Sequence, residues 1–201
     1  GLDRLTPAKE ESVTRAFNWK LAVDTFGESY HLTSLHPQVA QVLLGNGSTF
    51  DNYGPHVRLI VPLYGLKQLM GKPEADWATA EAGIHFMLHY VVFPNLVINL
   101  RDGAVQVIEM KPGSHVGEVI TTQTQAFAPD LPPDRRQLYE QFFHLSLHGL
   151  TIEEDYPVAK GIYRALQAGS IDKLTLGRCE GALHVLHKER HRLMSEGQTA
   201  A

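Results

Sequence analysis

Between Val57 and Phe127 short runs rich in Val, Ile and Thr alternate with turn signals, and this pattern restricts the fold more than any other feature of the chain. The runs are Val57–Leu63, His85–Phe93, Leu96–Leu100, Val105–Met110 and Val116–Phe127, separated by Pro-Asn, Asp-Gly and Pro-Gly signals, and each has the length and composition of a strand. Arg101-Asp102-Gly103-Ala104 is the clearest hairpin turn. A helical stretch, Lys72–Ala82, interrupts the series. On either side the period changes. Trp19, Leu21, Val23, Phe26, Tyr30 and Leu35 fall at roughly helical spacing until Pro37 stops the run, and Pro133–His148, Ile152–Leu166 and Arg178–Met194 read as helices with Gly149, Gly169 and Gly177 near their ends. Strands in mid-chain flanked by helices specify an α+β domain with an antiparallel sheet. Gly1–Ser12 is polar and reads as a linker or arm, with folded structure beginning near Phe17. Gly45–Gly54 reads as a turn-rich loop.

The 201 residues suffice for one sizeable core. A net charge of -4 with scattered Lys and Arg provides no basic field for nucleic acid or anionic lipid, and no run approaches the roughly 20 apolar residues that cross a bilayer. Neither nucleic acid nor membrane is expected as a partner. The single cysteine, Cys179, excludes an internal disulfide and a cysteine-rich metal site, reads as a small buried apolar residue, and suits a cytoplasmic location. Gly1–Lys20 is charged throughout and has no signal-peptide core. Eleven histidines direct attention to a metal or proton-transfer site.

Most of them have plain structural readings. His184, His187 and His191 share a face of the last helix with Lys188, Arg190 and Arg192 nearby, and read as part of a solvated basic helix. His144 and His148 lie among Phe142, Phe143, Leu145 and Leu147 on a packing helix. His56, His85, His89 and His115 lie on or beside strands, His89 with a pocket-facing reading open to it. The exception is the string Asn18-Trp19-Lys20 … Asp24 … Glu28 … His31 … His36-Pro37, which sets two histidines five apart with carboxylates seven and three residues before the first. On a regular helix that spacing turns the side chains by about 140°. The two imidazoles converge on one ion only if the helix loosens or ends between them, and Ser34 followed by Pro37 supplies such an ending.

This string closely resembles the catalytic-domain pattern of Rieske-type non-haem iron oxygenases, the aromatic-ring-hydroxylating alpha subunits, in which an Asn-Trp-Lys opening leads to an acidic residue and then to two histidines separated by four residues. Phe86–Asn99, with His89-Tyr90 and Phe93-Pro94-Asn95, resembles the family's sheet segment, and Glu153-Glu154-Asp155 through Leu166 resembles the late helix whose opening acid-aspartate pair provides a ligand. The resemblance runs from about Asn18 to His187. It implies a helix-grip fold of the START/Bet v 1 type, with a curved antiparallel sheet around a long C-terminal helix. It also implies mononuclear Fe(II) held by His31, His36 and Asp155, with dioxygen as co-substrate. Two imidazoles and a carboxylate bind Fe(II) on one face and leave positions open. Glu153 and Glu154 remain rivals of Asp155 at this point, with Thr151 as N-cap and Glu154 completing a capping box in one arrangement that frees Asp155 to face inward. Asp24 or Glu28 fixes His31 through its other ring nitrogen. In the family the acid three before the first histidine, Asp in most members and Glu in some, also links that ligand across a subunit boundary to a Rieske-cluster histidine, which implies an electron-transfer role for Glu28.

A [2Fe-2S] Rieske cluster needs two cysteines and two histidines, so this chain cannot build one. The resemblance implies that residues 1–16 are a linker from a Rieske domain that precedes it, 17–195 the iron domain and 196–201 a tail. It implies a reductase and possibly a ferredoxin as electron donors, a homotrimer for the full-length protein, and hydroxylation of a small, aromatic substrate by one or two oxygen atoms. The competing reading is a metal-free START-like domain that carries an aromatic or lipid ligand; zinc-dependent hydrolysis is a third.

Overall fold

The expected strand runs form one antiparallel sheet. The computed structural model describes residues 2–44, 47–80 and 82–199. Its strands are Thr6–Arg15 (β1), Thr49–Tyr53 (β2), His56–Pro62 (β3), Phe86–Val92 (β4), Leu96–Arg101 (β5), Ala104–Pro112 (β6) and Val119–Phe127 (β7), in the sheet order β1-β7-β6-β5-β4-β3-β2. The helices are Trp19–Thr25 (α1), Leu32–Leu35 (α2), Pro37–Ala40 (α3), Leu66–Met70 (α4), Ala82–His85 (α5), Pro133–His144 (α6), Tyr156–Gln167 (α7) and Gly181–Thr199 (α8). Helices α1, α6 and α8 pack against the sheet, and α7 packs on α1, which gives the expected helix-grip arrangement. No helix among the described residues is long and apolar enough to cross a membrane.

Alternation explains the inner face. Val57 and Leu59, then Val91, Val97, Ile108, Met110 and Val119 point inward and meet Phe17, Leu21, Ala22, Val23, Tyr156 and Leu186 in one core. Phe17 packs edge-on against Tyr156, with ring centroids 5.0 Å apart, and the Tyr156 hydroxyl lies 2.5 Å from Thr121 Oγ1. One cross-strand row departs from this apolar rule. Register places His89, Asn99, Gln106 and Gln125 side by side across β4 to β7, all buried on the inner face.

Several expectations need correction. The segment expected to be a polar arm contains β1, an edge strand paired with β7 that carries Lys9, Glu10 and Glu11 on alternating faces, and a register shift between Pro7 and Lys9 accommodates the missing ladder donor. Within the expected loop Gly45–Gly54, Gly45 and Asn46 lie outside the described residues, and Thr49–Tyr53 is β2, held to β3 by a cross-strand Asp51–Arg58 pair at 2.5 Å. The stretch Lys72–Ala82 contains a six-residue 3₁₀ turn, Glu74–Thr79, between α4 and α5; Glu81 is outside the described residues. Gly149 does not end a helix. Leu145–Asp155 is a π-helical segment that joins α6 to α7 without a break, so Thr151 is a buried interior residue and forms no N-cap. The expected tail is helical as far as Thr199, and Cys179 is exposed.

Candidate metal centre

Helix α1 begins where Asn18 accepts the backbone N–H of Lys20 at 2.9 Å, and it ends at Phe26-Gly27. Glu28 then folds its carboxylate back onto the backbone N–H groups of Tyr30 and His31, the second at 3.2 Å, which starts the turn leading into α2. Helix α2 stops after Leu35. His36 has φ -115° and ψ 70°, outside the helical region, because the following Pro37 disfavours it, and Pro37 starts α3. The helix thus ends between the two histidines, as their spacing requires. Their rings lie 5.2 Å apart at 79°.

Asp155 arrives from the opposite side at the end of the π-helical segment. Tyr156 N donates to Thr151 O, a wide-turn bond, and Pro157, which has no N–H to continue an α-register, follows at once. The wide turn sets the consecutive acids Glu154 and Asp155 on two sides of one imidazole. His36 Nδ1 lies 2.5 Å from Glu154 Oε2, and His36 Nε2 lies 3.0 Å from Asp155 Oδ1. His31 Nε2 is 3.6 Å from the same oxygen, and His31 Nδ1 is bonded to Glu28. Donor atoms of His31, His36 and Asp155 all lie within 4.8 Å of one another.

Each imidazole is therefore held from behind by a carboxylate, Glu28 for His31 and Glu154 for His36, so that Nδ1–H donates backward and both Nε2 lone pairs face Asp155. Gln38 Nε2 fixes the other oxygen of Glu154 at 2.9 Å. Burial opposes charge on Glu28, but its bonds to the His31 ring and to the His31 and Tyr30 N–H groups outweigh this and hold it below the ordinary carboxylate range. The His36 ring and Gln38 lower Glu154 likewise. Burial pushes His36 down, yet Asp155 and Glu154 outweigh it and raise its pKa. Asp155 Oδ1 is the informative atom: it is buried and makes no hydrogen bond, although two imidazole nitrogens face it. A divalent cation would satisfy that oxygen, and a nitrogen–oxygen donor set without thiolate fits Fe(II).

Asp24 stands apart. It accepts from His187 Nε2 at 2.8 Å and Arg190 Nη1 at 2.6 Å and so ties α1 to α8; the bond to His31 is made by Glu28. The α8 histidine stripe is correspondingly less solvated than its charge pattern suggests. Glu153 makes no contact with the triad, and Glu154 takes the His36 role that sequence reasoning did not assign. The acid pair before Tyr156 was its only signal.

A cavity of about 90 Å³ opens above the triad, bounded by Phe26, Leu59, Val61, Met87, Phe142 and Leu150, with His89, Asn99 and Gln106 as its polar strip. A second, about 240 Å³, meets the triad from the far side of His31 between α1 and α7. In the first, His89 Nδ1 is 2.5 Å from Asn99 Oδ1 and Nε2 is 2.8 Å from the Phe26 carbonyl, while burial pushes the His89 pKa below the ordinary imidazole value.

The family model for the ring-hydroxylating alpha subunit catalytic domain matches residues 2–196. Among solved structures, the quaternary ammonium Rieske monooxygenase CntA in complex with L-carnitine aligns with a TM-score of 0.67 at 15% identity, covering 92% of this chain and 48% of that one. Dicamba monooxygenase bound to dicamba aligns with a TM-score of 0.67 at 13% identity, covering 98% of this chain and 60% of that one. The chain spans about half the length of these proteins. Comparison with curated protein sequences gives no significant match. At such identities the structures speak for the fold, while the family match extends over nearly the whole sequence: the chain belongs to the ring-hydroxylating alpha subunit family and corresponds to its catalytic domain.

Proposed function

We propose that His31, His36 and Asp155 hold one Fe(II), and that the chain is the reaction chamber of a Rieske-type oxygenase that adds one or two oxygen atoms of dioxygen to a small, aromatic substrate. The observation that carries this reading is the buried, unbonded Asp155 Oδ1 facing two oriented Nε2 atoms. Bound ferrous iron supplies the binding and reductive activation of dioxygen. The chain supplies the rest. Glu28 and Glu154 keep both imidazoles in the Nε2-presenting tautomer. Phe26, Leu59, Val61, Met87 and Leu150 give the substrate an apolar seat and keep bulk water out. The polar strip of the sheet fixes its orientation.

The electrons come from outside the chain, from a [2Fe-2S] Rieske cluster supplied by a reductase and possibly a ferredoxin, in a cytoplasmic homotrimer. By the resemblance to the family, Glu28, which bonds His31, lies on the path of those electrons. Anaerobic Fe(II) loading tests the proposal: one iron per chain is expected, with nitric oxide, a dioxygen surrogate, giving a paramagnetic nitrosyl signal from an open position. A chain that binds aromatic ligands and retains no iron would instead be the metal-free carrier.

A further inference from the structure

Beside the cavity above the triad, and sharing Asn99, Gln106 and Phe142 with it as lining, is a narrow extension of about 10 Å³ that Arg101 also lines. Arg101 lies two residues beyond Asn99 on β5, on the same inward side of the strand. Its guanidinium rests on the Phe142 ring, 4.6 Å from the centroid. Among the described residues it makes no ion pair and no side-chain hydrogen bond, although a guanidinium offers five donors. Two other arginines that are buried or half-buried have anions: Arg58 has Asp51, and Arg190 has Asp24. Desolvation pushes the Arg101 pKa below its ordinary value, as expected of a cation that lacks a counter-charge.

A second unpartnered donor lies beside it. Gln106 is buried; its Oε1 accepts from Asn99 Nδ2 at 2.7 Å, which leaves Nε2 without a partner. Buried donors without acceptors are costly, and two of them lining one small extension call for an acceptor from outside the chain. A space of about one water molecule admits a single oxygen of an acid group, in the place a water would take, and no ring.

We propose that Arg101 and Gln106 form an acid-group subsite, and that the substrate is a small carboxylate whose acid group puts one oxygen into this extension while its reacting carbon faces His31, His36 and Asp155. This assignment rests on the reading of the triad as the reaction centre, but the subsite itself does not need the metal. Arg101 provides charge-assisted bonds to the acid, and Gln106 Nε2 donates a further one. Phe142, under the guanidinium, keeps it from turning away.

The experiment measures binding of acetate, benzoate and phenylacetate, with benzamide and benzylamine as uncharged and cationic counterparts, by calorimetry on the metal-free and the Fe(II)-loaded chain. At least one carboxylate is expected to bind both forms, about tenfold or more tightly than its amide. Arg101→Gln is expected to weaken that binding about tenfold or more, and Gln106→Leu to weaken it several-fold, with iron stoichiometry unchanged in both. If Arg101→Gln does not fold, the Gln106→Leu comparison and the carboxylate-to-amide ratio in the parent chain still decide. Failure of all three carboxylates to bind, equal affinity for benzoate and benzamide, or unchanged affinity in both variants overturns the proposal. So does preference for benzylamine, which would mean that both carboxamides are turned over and present Gln106 Oε1 to the cavity. Loss of iron binding with retained carboxylate binding would overturn the metal reading alone.

Discussion

His36→Ala is expected to remove iron from the chain: after anaerobic Fe(II) loading and desalting, the parent should retain one iron and the variant almost none. His36 is 1% exposed, with Glu154 2.5 Å behind its Nδ1 and Asp155 Oδ1 3.0 Å in front of its Nε2. Losing a carboxylate behind a metal-bound imidazole costs about 10–100-fold in affinity, and losing the imidazole itself costs more. Fe(II) should raise the melting temperature of the parent, since it binds the folded chain alone, and leave that of His36→Ala unchanged. Glu154→Gln should weaken iron about 10–100-fold without abolishing it. Equal iron in the parent and in His36→Ala would rule out this ligand set, and equal iron in the parent and in Glu154→Gln would show that His36 is oriented by other means.

Much of this centre was legible because it is local. His31, Glu28 and His36 lie within nine residues of one another, and the condition that the helix end between the histidines could be stated from their spacing and from Pro37 alone. The five inner strands were legible for a related reason: half-buried strands must alternate, and these do. Edge strands need not. Thr6–Arg15 is solvated over most of its length, so Lys9, Glu10 and Glu11 erase the alternation that would have marked β1. Thr49–Tyr53 fails as a signal because Asp51 and Asn52 read as turn residues, while in the sheet Asp51 is neutralised across the ladder by Arg58.

The π-helical segment was illegible for a different reason. Gly149 is a stop signal only where nothing else holds the helix, and Ser146, Leu147, Leu150 and Thr151 are all buried around it. Packing there outweighs a cost of about 1 kcal/mol for glycine in a helix. The consequence reaches the site. Two adjacent acids on a regular helix would diverge by about 100°, and the wider turn lets Glu154 and Asp155 address opposite nitrogens of one ring. The polar row His89, Asn99, Gln106 and Gln125 was hidden for want of register: each residue sits singly in its own strand, and only pairing assembles the row.

Asp24→Ala should cost about 3–5 kcal/mol of folding stability while leaving iron stoichiometry at one per chain. The sequence gives Asp24 and Glu28 equal claims on His31, and the two roles predict opposite outcomes. As placed here, Asp24 is the counter-charge of Arg190, whose side chain is 9% exposed, whose Nη1 is 2.6 Å from Oδ1, and whose Nε and Nη2 have no partner. His187 holds the other carboxylate oxygen, and Trp19 lies under the guanidinium at 5.9 Å. Removing the carboxylate strands a buried cation between α1 and α8, and an unpaired buried charge is among the few single changes that exceed about 3 kcal/mol. Removing both charges, in Asp24→Ala with Arg190→Met, should recover much of the loss, because the desolvation cost disappears with the guanidinium. Urea denaturation of the single and double variants measures the coupling, and iron quantification on the same samples separates the roles. If Asp24 oriented His31, iron affinity would fall about 10–100-fold and Arg190→Met would rescue nothing. A stability loss that the second substitution repairs, with iron retained, would make Asp24 the clasp between the first and last helices and leave Glu28 as the carboxylate that serves His31.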